Sequence, residues 1–257
     1  MKVNINTNVD AAVLSKVPEV TLVFWVIKIM ATTLGETGGD TLSMSMNLGY
    51  LLSTGIFAAI FLAAVTIQIR SKQFHPVIYW VTIIATTTVG TTLADFADRS
   101  LGVGYAGGAS LLLALLLLSL FVWHRVLGSV SIDTVGSPKS EMFYWTTIMF
   151  SQTLGTALGD WTADTAGLGY EGAAVVFGVM LMMITAAYYK TKISHTLLFW
   201  AAFILTRPLG AVVGDFLDKP IHSGGSDLSR FSASVALLLS IAILLAVFRQ
   251  RPARLNH

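Results

Sequence analysis

The chain has 257 residues, of which 54% are hydrophobic and only 12% charged, and its mean hydropathy is +0.73. A soluble domain carries about 25% charged residues, so this composition reads as a polytopic membrane protein with little chain left for a soluble domain. The formal charge of +2 and the burial of most of the chain in lipid give no support to a nucleic-acid partner, and the absence of cysteine excludes disulfides, thiolate metal ligation and cysteine nucleophiles.

The first eighteen residues lack an apolar core of signal-peptide length and read as a polar tail, 1–18. Apolar runs then follow at Val20 to about Leu34, Leu51–Ile69, Val77–Ala94 and Ala109–Trp123, forming a first half over 19–127. A polar linker at 128–140 separates it from a second half, 141–249, with runs at Met142–Leu158, Ala173–Tyr189, Thr196–Val213 and Phe231–Phe248. A basic tail, 250–257, closes the chain. Each span needs roughly 20 apolar residues, so the fold class expected is an all-α membrane protein of eight transmembrane helices.

One stretch recurs four times, starting at Trp25, Trp80, Trp145 and Trp200. Ten residues on stands Gly35, Gly90, Gly155 or Gly210; fourteen on, Gly39, Ala94, Gly159 or Gly214; fifteen on, Asp40, Asp95, Asp160 or Asp215. A further glycine lies nine past each aspartate: Gly49, Gly104, Gly169, Gly224. Such self-similarity marks a true internal repeat. Each copy holds two spans, so all four share one orientation, as parallel repeats in two pseudo-symmetric halves. Eleven of the 16 Lys and Arg lie in the termini and inter-repeat linkers, against Arg99, Lys219 and Arg230 in the opposite loops. The positive-inside rule therefore puts both termini in the cytoplasm and the aspartates towards the outer side.

The small-xxx-small pairs make smooth helix faces that let backbones approach closely. Four of them around one axis would gather the four aspartates into a carboxylate cluster. Thr32-Thr33, Thr86-Thr87-Thr88, Ser151-Gln152-Thr153 and Thr206 can supply neutral oxygens or satisfy backbone groups. Intramembrane charges are costly and usually functional. Glu36 is expected to join the ion-binding aspartates, and Lys28 and Arg207 to act as counter-charges or in coupling. Lys28, Thr32 and Glu36 share one helix face. Asp98, Asp164 and Asp218 are secondary acids, read more readily as solvated loop residues, and the tryptophans as packing or interfacial anchors. No histidine stands at a metal-ligand spacing from another.

This pattern resembles a family of bacterial integral membrane proteins built from four tandem two-helix repeats, each with a tryptophan, described by a repeat of unknown function. The resemblance runs from Val20 to about Phe248, with Trp25, Trp80, Trp145 and Trp200 in the tryptophan slot. It implies the architecture and an inner-membrane location, and brings no activity. The fourth copy departs from the others: Gly225 replaces Tyr50, Tyr105 and Tyr170, and Pro208 interrupts its helix.

Hard oxygen ligands suit Mn²⁺, Mg²⁺, Ca²⁺, Na⁺ or H⁺. The expected function is a secondary transporter or exporter of a hard divalent cation, with Mn²⁺ slightly preferred and proton coupling in view, since no P-loop is present. The alternatives are a channel-like pore with an acidic ring and a membrane scaffold or partner protein. No nucleophile, base and oxyanion donors converge, so no enzyme and no resident cofactor are expected. The chain can form its bundle alone or as a homodimer.

Overall fold

The computed structural model describes residues 15–253; the outermost parts of the two tails, including Lys2 and Arg254, lie outside the described residues. Eight long helices make up the fold: α1 Leu22–Asp40, α2 Gly49–Arg70, α3 Pro76–Asp95, α4 Tyr105–Leu127, α5 Pro138–Asp160, α6 Gly169–Lys190, α7 His195–Asp218 and α8 Arg230–Val247. No strand occurs among the described residues. Helix α5 starts inside the stretch read as linker, with Ser137 capping its first turn and Pro138 at N1. The aspartates do not follow the odd-numbered helices but belong to their last turns, because the glycines leave the helical ladder intact.

The odd-numbered helices form a closed inner ring in the order α1, α3, α5, α7 and back to α1, and the even-numbered ones lie outside. Each outer helix packs on the inner helix of the following repeat: α2 on α3, α4 on α5, α6 on α7, and α8 on α1. The repeats are therefore not the self-contained hairpins their sequence suggests. Each leans on its neighbour, and the last closes on the first.

The glycine slot sets this ring. A Cβ at Gly35 would run into the Thr87 side chain, at Gly90 into the Gln152 backbone, at Gly155 into Arg207 and at Gly210 into Thr32. In every case the tenth position after one tryptophan receives the seventh position of the next copy. One turn on, Gly39 faces Thr91, Gly159 faces Ala211 and Gly214 faces Glu36. Both contacts advance together along the two helices, so neighbouring inner helices run parallel.

The tryptophans obey the same rule. The aromatic residue before each tryptophan meets the tryptophan of the next copy: Phe24 with Trp80 at 5.4 Å, Tyr79 with Trp145 at 5.7 Å, Tyr144 with Trp200 at 6.2 Å and Phe199 with Trp25 at 5.9 Å. Tyr79 and Tyr144 also share a 2.6 Å hydroxyl hydrogen bond between the neighbouring helices α3 and α5. Beyond this aromatic floor, the terminal segments and the central linker knit together. Ala253 N–H donates to the Val17 carbonyl, Ser15 Oγ to that of Ile132, and Lys16 Nζ meets Glu141 at 2.5 Å.

At the opposite end the glycine nine past each aspartate has positive φ in all four copies, between 65° and 83°, which lets the chain turn into the outer helix. In three copies a π-helical turn (Thr41–Ser45, Phe96–Ser100, Trp161–Thr165) intervenes; in the fourth, α7 stays α-helical to Asp218.

Six of the helices, α2, α3, α4, α6, α7 and α8, are long and apolar enough to cross a membrane. Helices α1 and α5 fall short because they spend positions on Lys28, Glu36, Asp40, Glu141, Gln152 and Asp160, all buried inside the bundle. The outer helices instead expose Leu117, Leu118, Met182, Met183, Leu239 and Ile243.

The register predicts the effect of single methyl groups. Gly210→Ala, whose Cβ would press on the Thr32 side chain and then its backbone, should cost about 1–3 kcal/mol by overpacking. Gly38→Ala, with nothing within 4 Å, should be neutral or stabilising by up to about 1 kcal/mol. Thermal unfolding of the two variants checks this, and equal effects would contradict the close approach.

Candidate functional site

Residues four apart share a helix face, and the inner helices use this to build layers along the ring axis. Above the aromatic floor come Lys28, Ile83, Ile148 and Phe203; then Thr32, Thr87, Gln152 and Arg207; then Glu36, Thr91, Thr156 and Ala211; then Asp40, Asp95, Asp160 and Asp215. Every one of these side chains is buried.

The structure brings the four aspartates together, as expected, but not as a bare acidic ring. Arg99 lies between Asp95 at 2.9 Å and Asp160 at 3.3 Å. Lys219 lies between Asp215 at 2.9 Å and Asp40 at 2.8 Å. The two bases occupy equivalent slots in alternate copies, each four residues past its own aspartate, and each reaches the aspartate of the next copy. Arg230 adds a 2.7 Å pair with Asp218. Sequence reasoning passed over all three bases as loop residues; the i,i+4 spacing of Arg99 and Lys219 from Asp95 and Asp215 was the available signal.

Asp218 is therefore not a solvated loop acid: it is buried in this network. Asp164 is exposed and makes no ion pair among the described residues, while Asp98 is half-buried, beside Gly108 on the neighbouring helix α4. The hydroxyls near the glycines mostly serve the backbone: Thr33, Thr88 and Thr153 donate to carbonyls one turn back.

Glu36 bridges two layers. Its carboxylate pairs with Arg207 at 3.1 Å and accepts from Thr91 at 3.2 Å. The same Arg207 nitrogen donates to Thr91 and Thr156 at 2.5 Å each. One guanidinium from the fourth copy thus gathers the equivalent slot of the other three. Glu36 also offers an oxygen to a carboxylate group with Asp40 and Asp95, whose ligand atoms all lie within 4.8 Å of one another; Asp40, Asp215 and Asp218 form a second such group. Asp40 is common to both. Lys28, by contrast, makes no ion pair among the described residues; its ammonium sits 4.2 Å from the centre of the Phe203 ring.

With every group ionised, the outer layer holds five carboxylates (Asp40, Asp95, Asp160, Asp215, Asp218) against Arg99, Lys219 and Arg230, leaving two negative charges without a counter-ion. Asp40 Oδ1 and Asp160 Oδ1 are buried with no hydrogen-bond partner among the described residues. A hard divalent cation fits this donor set in charge and in ligand chemistry.

Burial alone would lower the Lys219 pKa, but Asp215, Asp40 and Asp218 outweigh it and hold it well above the ordinary lysine value of 10.5. A raised lysine pKa gives stability that is complete below the ordinary value and lost only as pH climbs through the raised one. Lys219→Met should therefore destabilise the chain equally at about pH 7 and pH 9, by roughly 3–5 kcal/mol, because it strands buried carboxylates. Unfolding measured at the two pH values checks this; a loss confined to the lower pH would contradict it.

The family model described as Repeat of Unknown Function (DUF347) matches residues 23–74, 78–128, 143–194 and 198–251. No curated protein and no solved structure matches the chain.

Proposed function

The chain belongs to the DUF347 repeat family, and we propose that this member is an eight-span bacterial inner-membrane protein that carries a hard divalent cation, Mn²⁺ foremost, through the axis of its inner ring. The observation that carries the reading is the outer layer: converging buried carboxylates with two uncompensated negative charges. The membrane setting rests on six apolar helices with exposed leucine, methionine and isoleucine faces, with α1 and α5 shielded inside them. Both termini are assigned to the cytoplasm by the distribution of lysine and arginine.

The bases suggest how binding and release are coupled. A divalent cation approaching Asp40, Asp95 and Asp215 competes with the Lys219 ammonium and the Arg99 guanidinium for the same carboxylates. Movement further along the axis requires Arg207 to release Glu36, and protons on the aspartates can replace the cation on the return. A carrier is favoured over an open pore because the axis is closed by side chains at every layer and floored by the Tyr79–Tyr144 pair.

Reconstituted protein in liposomes tests this with Mn²⁺, Mg²⁺, Ca²⁺, Zn²⁺ and Na⁺, with and without a pH gradient. Saturable Mn²⁺ flux is expected, reduced at least about tenfold in Asp40→Asn and unchanged in Glu171→Gln, an exposed acid outside the network. Unsaturable flux would favour the pore. No flux of any cation would overturn the reading and leave the scaffold role.

A further inference from the structure

Between the aromatic floor and the aspartates, the inner helices place three ionisable side chains on the axis: Lys28, Glu36 and Arg207. Helices α2, α4 and α8 contain no acid at all. Glu141 lies beyond the aromatic floor with Lys16, and the remaining acid of α6, Glu171, is exposed at the far end. With every group ionised, this inner segment carries two positive charges against one carboxylate.

Its donors are also underused. Among the described residues, Lys28 Nζ, Arg207 Nε and Nη1, Gln152 Nε2 and Thr87 Oγ1 are buried with no hydrogen-bond partner. They come from four different helices of the ring and stand in two adjacent layers, about 6 Å apart along the axis. The Phe203 ring beneath Lys28 gives a cation–π contact of about 2 kcal/mol at most when desolvated. Burying an unpaired ammonium costs several times that. Gln152 Oε1 is buried and unpartnered as well, so one neutral acceptor stands beside these donors, and an apolar packing role does not account for the excess of donors.

We infer that Lys28, Arg207 and Gln152, with Thr87, bind a small monovalent inorganic anion on the axis beneath the carboxylate layer. Lys28 and Arg207 supply the charge, and Gln152 and Thr87 supply neutral donors. With Glu36 paired to Arg207, one positive charge remains, which one chloride-sized ion neutralises. The site shares Arg207 with the cation reading but uses none of the aspartates.

The test is chloride binding by the purified chain in detergent, with a metal chelator present and gluconate replacing chloride at constant ionic strength. The unfolding temperature should rise saturably with chloride, and radiolabelled chloride should bind once per chain. Lys28→Met should abolish both responses, Gln152→Leu should weaken chloride binding by about tenfold, and Glu171→Gln, an exposed acid outside both layers, should keep both. An unfolding temperature indifferent to chloride with no label retained, or a folded Lys28→Met that responds like the wild type, overturns the proposal. Should Lys28→Met fail to fold, Gln152→Leu decides, and an unchanged chloride affinity there overturns it.

Discussion

Four parallel helices can share one axis only if their backbones come close, and here closeness is granted at a single slot. The glycine ten residues after each tryptophan receives a side chain or backbone of the next copy, and the small residue four further on receives the next turn. In the proposed membrane setting no hydrophobic force acts between the helices, so tight packing and buried polar contacts would hold them. The same approach carries the four aspartates, Glu36 and Arg207 inward. A bundle held apart by ordinary side chains would leave these groups unpaired in an apolar interior.

Because the ring is closed by repetition, each functional slot exists four times, and chemistry arises where the copies differ. The aspartate is common to all. The base four residues past it appears only in the second and fourth copies, so each base serves two aspartates. Glutamate, threonine, threonine and alanine share the slot around Arg207, and lysine faces phenylalanine in the layer below. Symmetry builds the frame; its breaking gives the outer layer a net negative charge and the inner layer a net positive one. That polarity along one axis is what the proposed carrier would use.

Much of this was legible in the residues. The tryptophan, glycine and aspartate slots announced four parallel units, a close-packed core and a carboxylate cluster, because a strict spacing on a helix is also a shared face. The hairpin picture failed for a physical reason: residue spacing shows which positions repeat, not which neighbour a helix leans on. Asp218 looked like a loop acid because apolar periodicity ends near Val213, although α7 continues to it. Arg99, Lys219 and Arg230 were hidden by their position after the apolar runs. Lys28 was visible as an intramembrane charge, yet its lack of an acidic partner depended on which helices face α1.

If the outer layer binds a divalent cation, direct binding shows it with the fewest intermediates. Manganese electron paramagnetic resonance on the purified chain counts bound ions and reports their ligands. One tightly held Mn²⁺ per chain in an oxygen environment is expected, lost in Asp40→Asn and displaced as the aspartates are protonated. A spectrum of free aqueous Mn²⁺ only, in folded protein at neutral pH, would contradict it.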